Sequence, residues 1–145
     1  EAFETLKKAL ISEPVCLAHP DWSFPFKILT DASKHGLGGI ICQDTDKGEQ
    51  VIMYASRSTN VMEKKYFSYE LEALGVVWAT EVFRHYIYGR KFTIVTVHQT
   101  LKWMMEQDHG TRVLRWIMRL QEYDFDIIHR AENSTRMQTL FPAIL

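Results

Sequence analysis

The stretch Phe26-Lys27-Ile28-Leu29-Thr30-Asp31 is a β-rich run, and two more follow close behind it: Gly36-Leu37-Gly38-Gly39-Ile40-Ile41-Cys42 and Val51-Ile52-Met53-Tyr54. The connections, a short polar turn and Asp44-Thr45-Asp46-Lys47-Gly48, are too short for a crossover, so the three runs predict an antiparallel meander. Downstream, Leu71, Leu74, Gly75, Trp78 and Val82 recur at steps of three and four and trace one apolar helical face. Ser68 is placed to cap this helix, and Glu70 lies in its first turn, where the helix dipole favours an anion. Gly89 is placed to end it, just past Tyr88. Phe92-Thr93-Ile94-Val95-Thr96-Val97 then reads as a strand with too few charges for a sheet edge. Helical spacing returns from Leu101 to Met105 and, past Gly110, at Val113, Leu114, Ile117, Met118 and Leu120. Phe125-Asp126-Ile127-Ile128-His129 is a fifth strand, and the tail from Arg136 reads as helical.

The order β-β-β-α-β-α-α-β-α predicts an α/β fold with a mixed five-stranded sheet. Three antiparallel strands are joined by parallel strands added through βαβ crossovers, and helices flank the sheet. Ahead of the strands, Phe3, Leu6 and Leu10 mark a short amphipathic helix that stops before Pro14. Pro14, Pro20 and Pro25 keep the following stretch extended. The expected division is a connecting helix and extended linker over 1–22 and one domain over 23–145.

The chain has 145 residues, 17 Lys and Arg against 18 Asp and Glu, and a formal net charge of −1, which excludes a broadly polycationic nucleic-acid binder but not local patches. With 46% hydrophobic and 24% charged residues, global disorder is excluded too. Cys16 and Cys42 are too few for a disulfide framework and lack metal-ligand spacing. They read as buried thiols in a reducing, intracellular setting, cytoplasmic or nuclear. No apolar run approaches the roughly 20 residues that span a bilayer, so no membrane partner is expected. The chain opens at Glu1 without a Met or a signal-like region, as an excised fragment does.

Two acids stand out. Asp31 closes an apolar strand just before a turn, where a carboxylate is costly unless solvated, paired or metal-bound. Glu72 lies near the start of the long helix, beside Leu71. A strand-end acid and a helix N-terminal acid are also common structural features, so each alone fits either role.

Taken in order, F-E-T-L-K-K-A-L from Phe3, T-D-A-S from Thr30, Y-A-S-R-S from Tyr54, E-L-E-A-L-G-V-V-W-A from Glu70, Y-G-R-K-F-T-I-V-T from Tyr88, L-K-W from Leu101 and R-L-Q-E-Y-D-F from Arg119 carry a resemblance over nearly the whole chain. The sequence resembles the RNase H domain of the reverse transcriptase polyprotein of Gypsy-like LTR retrotransposons. That resemblance implies an RNase H-like fold and a metal-dependent endoribonuclease acting on the RNA strand of RNA/DNA hybrids. It also implies magnesium or manganese held by four acids. The first two match Asp31 and Glu72, the metal-site candidates that remain. The third position, in a T-D-H-K-P-L-like segment, is occupied by Val97 in Thr96-Val97-His98-Gln99-Thr100-Leu101. The fourth, in an A-D-A-L-like segment, falls at Gln138, or at Met137 with a one-residue shift.

Two of four acids are thus missing, so metal binding is expected to be weak or absent and hydrolysis severely reduced or lost. The expectation is a degenerate, retrotransposon-derived domain kept as a structural, nucleic-acid-binding or protein-interaction module. Its partner would be an upstream reverse transcriptase domain or a host protein. The alternatives are an active or weakly active RNase H within a reverse transcriptase, and a defunct element copy. Between Arg84 and Arg119 seven basic residues (Arg84, Arg90, Lys91, Lys102, Arg112, Arg115, Arg119) face two acids, with Trp103 and Trp116 interleaved. Such a stretch can grip phosphates and stack on bases; equally, the tryptophans and Met118 can be core and the arginines a solvated helix face.

Overall fold

The computed structural model describes residues 17–96 and 110–129. The expected helices near residues 3–10 and 101–105, and the tail from 136, lie outside the described residues. In chain order the elements are β1 (Phe26–Ala32), β2 (Gly36–Thr45), β3 (Gly48–Ser58), a 3-10 turn (Glu63–Lys65), α1 (Ser68–Val82), α2 (Arg84–Ile87), β4 (Lys91–Thr96), α3 (Thr111–Leu120) and β5 (Asp124–His129). The five strands form one sheet in the order β3-β2-β1-β4-β5. β1, β2 and β3 pair antiparallel, whereas β4 pairs parallel with both β1 and β5. The mixed sheet is therefore the one expected, with β4 interior as its lack of charge predicted.

Alternation along the strands gives the sheet two apolar faces. Phe26, Ile28, Ile41, Phe92 and Ile94 share a core with Ala73, Val76, Val77, Ala79 and Phe83, and with Val113, Trp116 and Leu120 of α3. Leu29, Ile40, Cys42 and Val95 form a second buried cluster on the opposite face. Near the lower end of β1, Lys27 is buried but doubly paired, its Nζ 2.9 Å from both Asp44 and Glu49 carboxylates.

Several local expectations are corrected. The long helix does not run to Tyr88: it stops at Val82, and after Phe83 a four-residue turn of helix follows. Phe83 is fully buried against Gly39, and its backbone (φ −97°, ψ 14°) leaves the helical range. Gly89 still provides a left-handed stop (φ +77°), but after α2. Ser68 is the first helical residue rather than the cap. The cap position is Phe67, whose N–H donates to Glu70 Oε1 at 3.4 Å. The apolar face read from Leu74 and Trp78 is too narrow, since Ala73, Val76, Val77 and Thr80 are also buried, α1 packing against both the sheet and α3. β3 is far longer than Val51–Tyr54. Met118, counted as core in one reading, is 61% exposed.

Residues 17–25 straddle the expected boundary between linker and domain, and they are fastened to the sheet. Fully buried Gln43 accepts the Asp21 N–H (2.9 Å) and donates to the carbonyls of Asp21 (2.7 Å) and Phe24 (3.0 Å), as a neighbouring strand would. The Ala18 N–H donates to the Val51 carbonyl at 2.8 Å.

Candidate functional site

Asp31 lies near the carboxyl end of β1, paired across the ladder with Gly38. It is half-buried, and its Oδ1 accepts the Ala32 N–H at 2.9 Å. α1 crosses this end of the sheet at Gly75, where an added Cβ would lie 3.5 Å from Ala32 Cβ and 4.0 Å from the Asp31 carbonyl oxygen. Lower down, Ala79 and Phe83 approach Gly39, so α1 runs with its N-terminus toward the pole where β1 ends. Glu72 is three residues before Gly75 and shares that side of the helix. The fold thus brings the turn carrying Glu72 and the strand end carrying Asp31 to one pole. The parallel register sets Leu29 beside Val95, so β4 ends at the same pole. Val97, next in sequence after β4, lies outside the described residues, as do Gln138 and Lys102.

The segment entering α1 is held by a compact polar cluster that sequence reading missed. Arg57, in the Tyr-Ala-Ser-Arg-Ser stretch, donates from Nη1 and Nη2 to the two Glu63 oxygens at 2.7 and 2.9 Å. Glu63 Oε1 also accepts the Asn60 N–H (2.9 Å), and Asn60 Oδ1 accepts the Glu63 N–H (2.8 Å), a reciprocal cap on the 3-10 turn. The guanidinium holds the Glu63 carboxyl below the usual range, outweighing the opposite effect of burial. The signal was present as Asn-x-x-Glu at 60–63, but no apolar helical run follows it to draw attention.

The expected basic surface is largely engaged within the chain. Arg84 donates to Glu122 (2.7 Å) and the Tyr123 hydroxyl (3.0 Å), and these bonds raise its pKa. Arg90 donates to the Trp22 carbonyl (2.7 Å) and lies 4.9 Å from that ring's centroid. Lys91 is 3.6 Å from Asp126. Arg112 pairs with Glu70 and lies over Tyr66, 4.1 Å from the ring centroid. Arg119 pairs with Glu81 at 2.9 Å. Among the described residues Arg115 alone of this set makes no ion pair or ring contact. Trp116 is buried in the core, as its helical spacing allows. The pairs Glu70–Arg112 and Glu81–Arg119 join like ends of α1 and α3, so the two helices run side by side in the same direction.

Comparison with known proteins agrees with this architecture. The chain is 42% identical over 137 residues to the retrovirus-related Pol polyprotein from transposon 297 of Drosophila melanogaster, a match covering 92% of this chain and 12% of that polyprotein. It is 31% identical over 131 residues to the corresponding polyprotein from transposon gypsy of the same organism, covering 89% and 12%. The chain therefore spans only a small part of these relatives. Among solved structures, the foamy viral protease-reverse transcriptase in complex with RNA/DNA hybrid superimposes with a TM-score of 0.64 at 18% identity, over 81% of this chain and 17% of that one. LC11-RNase H1 in complex with RNA/DNA hybrid superimposes with a TM-score of 0.53 at 11% identity, over 74% and 86%. At such identities these two show the fold, which is RNase H-like. The pattern of the RNase H-like domain found in reverse transcriptase matches residues 21–123, and the chain belongs to that family, in the form carried by gypsy-type retrotransposon polyproteins.

Proposed function

We propose that this is a reverse-transcriptase RNase H-like domain that does not cleave RNA/DNA hybrids and persists as a structural or interaction module, beside a polymerase domain or on a host protein. The observation that carries this reading is the donor set. Asp31 and Glu72 reach one pole, and the positions aligned with the family's other two acids hold Val97 and Gln138. Hydrolysis by two ions about 3.5–4 Å apart needs ligands that clamp both the attacking and the leaving oxygen. Magnesium takes carboxylate and water oxygens, and valine offers no donor at all. These residues do not fit a two-ion magnesium or manganese centre, and no hydrolytic step is assigned to it.

The internal pairing of Arg84, Arg90, Lys91 and Arg112 supports a structural role for them over a grip on phosphates. The test is a cleavage assay with a labelled RNA/DNA hybrid and magnesium or manganese. The wild-type chain leaves the hybrid intact, and Val97→Asp with Gln138→Asp restores cleavage that Asp31→Asn then abolishes. Specific cleavage by the wild-type chain, lost in Asp31→Asn, would establish the active enzyme instead.

A further inference from the structure

The outer side of α3 carries a surface that the described fold does not use. Val113, Trp116 and Leu120 turn inward and are buried, whereas Leu114 and Met118, one turn apart on the other side, are 55% and 61% exposed. Large apolar side chains at i and i+4 lie one above the other and form a ridge. A single exposed leucine needs no explanation, but a ridge of this kind is how helices dock into partners. α3 also has three arginines and no acid. Arg112 is matched by Glu70 and Arg119 by Glu81. Arg115, one turn before Met118, borders the ridge and has no acidic partner among the described residues, so among them it is the one arginine of α3 left uncompensated there.

We propose that this ridge docks an acidic amphipathic helix of a partner protein, with Leu114 and Met118 against its apolar side chains and Arg115 against one of its carboxylates. The charge selects this occupant. A two-fold contact of this ridge with a second copy pairs the same patch with itself, which brings a second arginine and no acid from α3. A nucleic-acid backbone would favour the arginines but leave Leu114 and Met118 facing phosphate and sugar, and two of the three arginines are already paired. An acidic helix satisfies the ridge and its charge together. Leu114 and Met118 lie on another side of α3 from Arg112 and Arg119, which pair with α1, and the inference holds whether or not the domain cleaves hybrids.

The test is a display selection from randomised helical peptides of roughly 16 residues, long enough to hold a helix when bound. The bait is the full chain, with counter-selection on the Leu114→Ser/Met118→Ser variant. Both side chains are exposed, so that variant keeps the wild-type circular dichroism and melting temperature. The expected binders carry Asp or Glu beside Leu, Ile or Phe at steps of three and four. By fluorescence anisotropy they bind the wild-type chain at least about tenfold more tightly than the double variant. Arg115→Glu weakens the same peptides, and changing the facing peptide Glu to Lys recovers them. A selection that enriches nothing, basic binders, or acidic binders indifferent to all three substitutions overturn the proposal. A labelled RNA/DNA hybrid that displaces the peptides and is itself lost in Arg115→Glu overturns it in favour of nucleic acid. A wild-type dimer dissociated by Leu114→Ser/Met118→Ser overturns it in favour of self-association.

Discussion

Replacing Glu63 by Gln tests how the approach to α1 is held. Glu63 is 8% exposed, and its carboxylate accepts two guanidinium N–H groups and one backbone N–H at 2.7–2.9 Å. Hydrogen bonds to charged groups contribute about 1.5–3 kcal/mol each, and breaking a fully buried pair costs about 3–5 kcal/mol. The Arg57 side chain is 35% exposed, so water takes up part of what Glu63 gave, and the glutamine oxygen retains one acceptor. The expected loss is about 2 kcal/mol, or roughly 5 °C in melting temperature for a domain of this size. The effect has a defined pH dependence. Because the folded Glu63 pKa is lowered, the pair's stabilisation is present above the ordinary carboxylate value and fades as pH falls through the folded value. Urea unfolding at pH 7 and at pH 3 reads both effects: Glu63→Gln is less stable than wild type at pH 7, and the gap narrows in acid. A double-mutant cycle with Arg57→Gln isolates the pair. Equal stability at pH 7, or a gap that widens in acid, would refute the assignment of the stabilisation to this carboxylate.

Packing predicts opposite outcomes at two glycines. Gly75→Ala adds a methyl at ordinary contact distance, 3.5 Å or more from its neighbours, in a helix interior, and is expected to stabilise by up to about 1 kcal/mol in thermal melts. Gly39→Ala instead meets Phe83 Cε2 at 3.3 Å and Ala79 Cβ at 3.4 Å and is expected to destabilise by roughly 1 kcal/mol; a reversed order refutes the placement of α1 on β1 and β2. Gln43→Leu removes three hydrogen bonds to residues 21–24, leaving the Asp21 N–H and the Phe24 carbonyl without them while the Asp21 carbonyl keeps the Phe24 N–H, and is expected to cost about 2 kcal/mol. Amide exchange at Asp21 should accelerate in that variant well before global unfolding, and unchanged protection there would show that the clamp is not what holds the segment.

The sheet was legible because its signals are local: period-two apolar runs, short turns, and a charge-poor β4. The break after Val82 was not, because the helical spacing runs on through Phe83 and only the close approach of Gly39 reveals why the chain turns there. The width of α1's buried surface was hidden for a related reason. Sequence periodicity shows one contact face, while α1 has both the sheet and α3 to pack against. For the site, Asp31 and Glu72 are candidates through the family resemblance, and the structure adds the crossing at Gly75 that brings their elements to one pole. Arg57, Glu63 and Asn60 escaped notice because their partners are defined only once β3 runs to Ser58 and hands the chain to the 3-10 turn.

Charge distribution shows most clearly what folding adds. Along the chain the middle third looks like a cationic tract between two acidic flanks, and linear reading makes it a candidate grip on nucleic acid. In the fold the flanks supply the counter-charges. Glu70 and Glu81, from the acidic first part, take Arg112 and Arg119, and Glu122 and Asp126, from the acidic end, take Arg84 and Lys91. Each of these pairs is partly exposed and contributes little stability alone. Their positions matter more, since they tie α3 to α1 and the start of α2 and of β4 to the segment around β5. A cation committed in this way can still meet a phosphate, but only by giving up a carboxylate, which weakens any steering field. If the paired arginines nevertheless dominate hybrid binding, substituting Glu70 and Glu81 by Gln should raise affinity and steepen its salt dependence. If the pairs are structural, the same change lowers stability slightly and leaves binding unmoved, and the second result is the one this geometry requires.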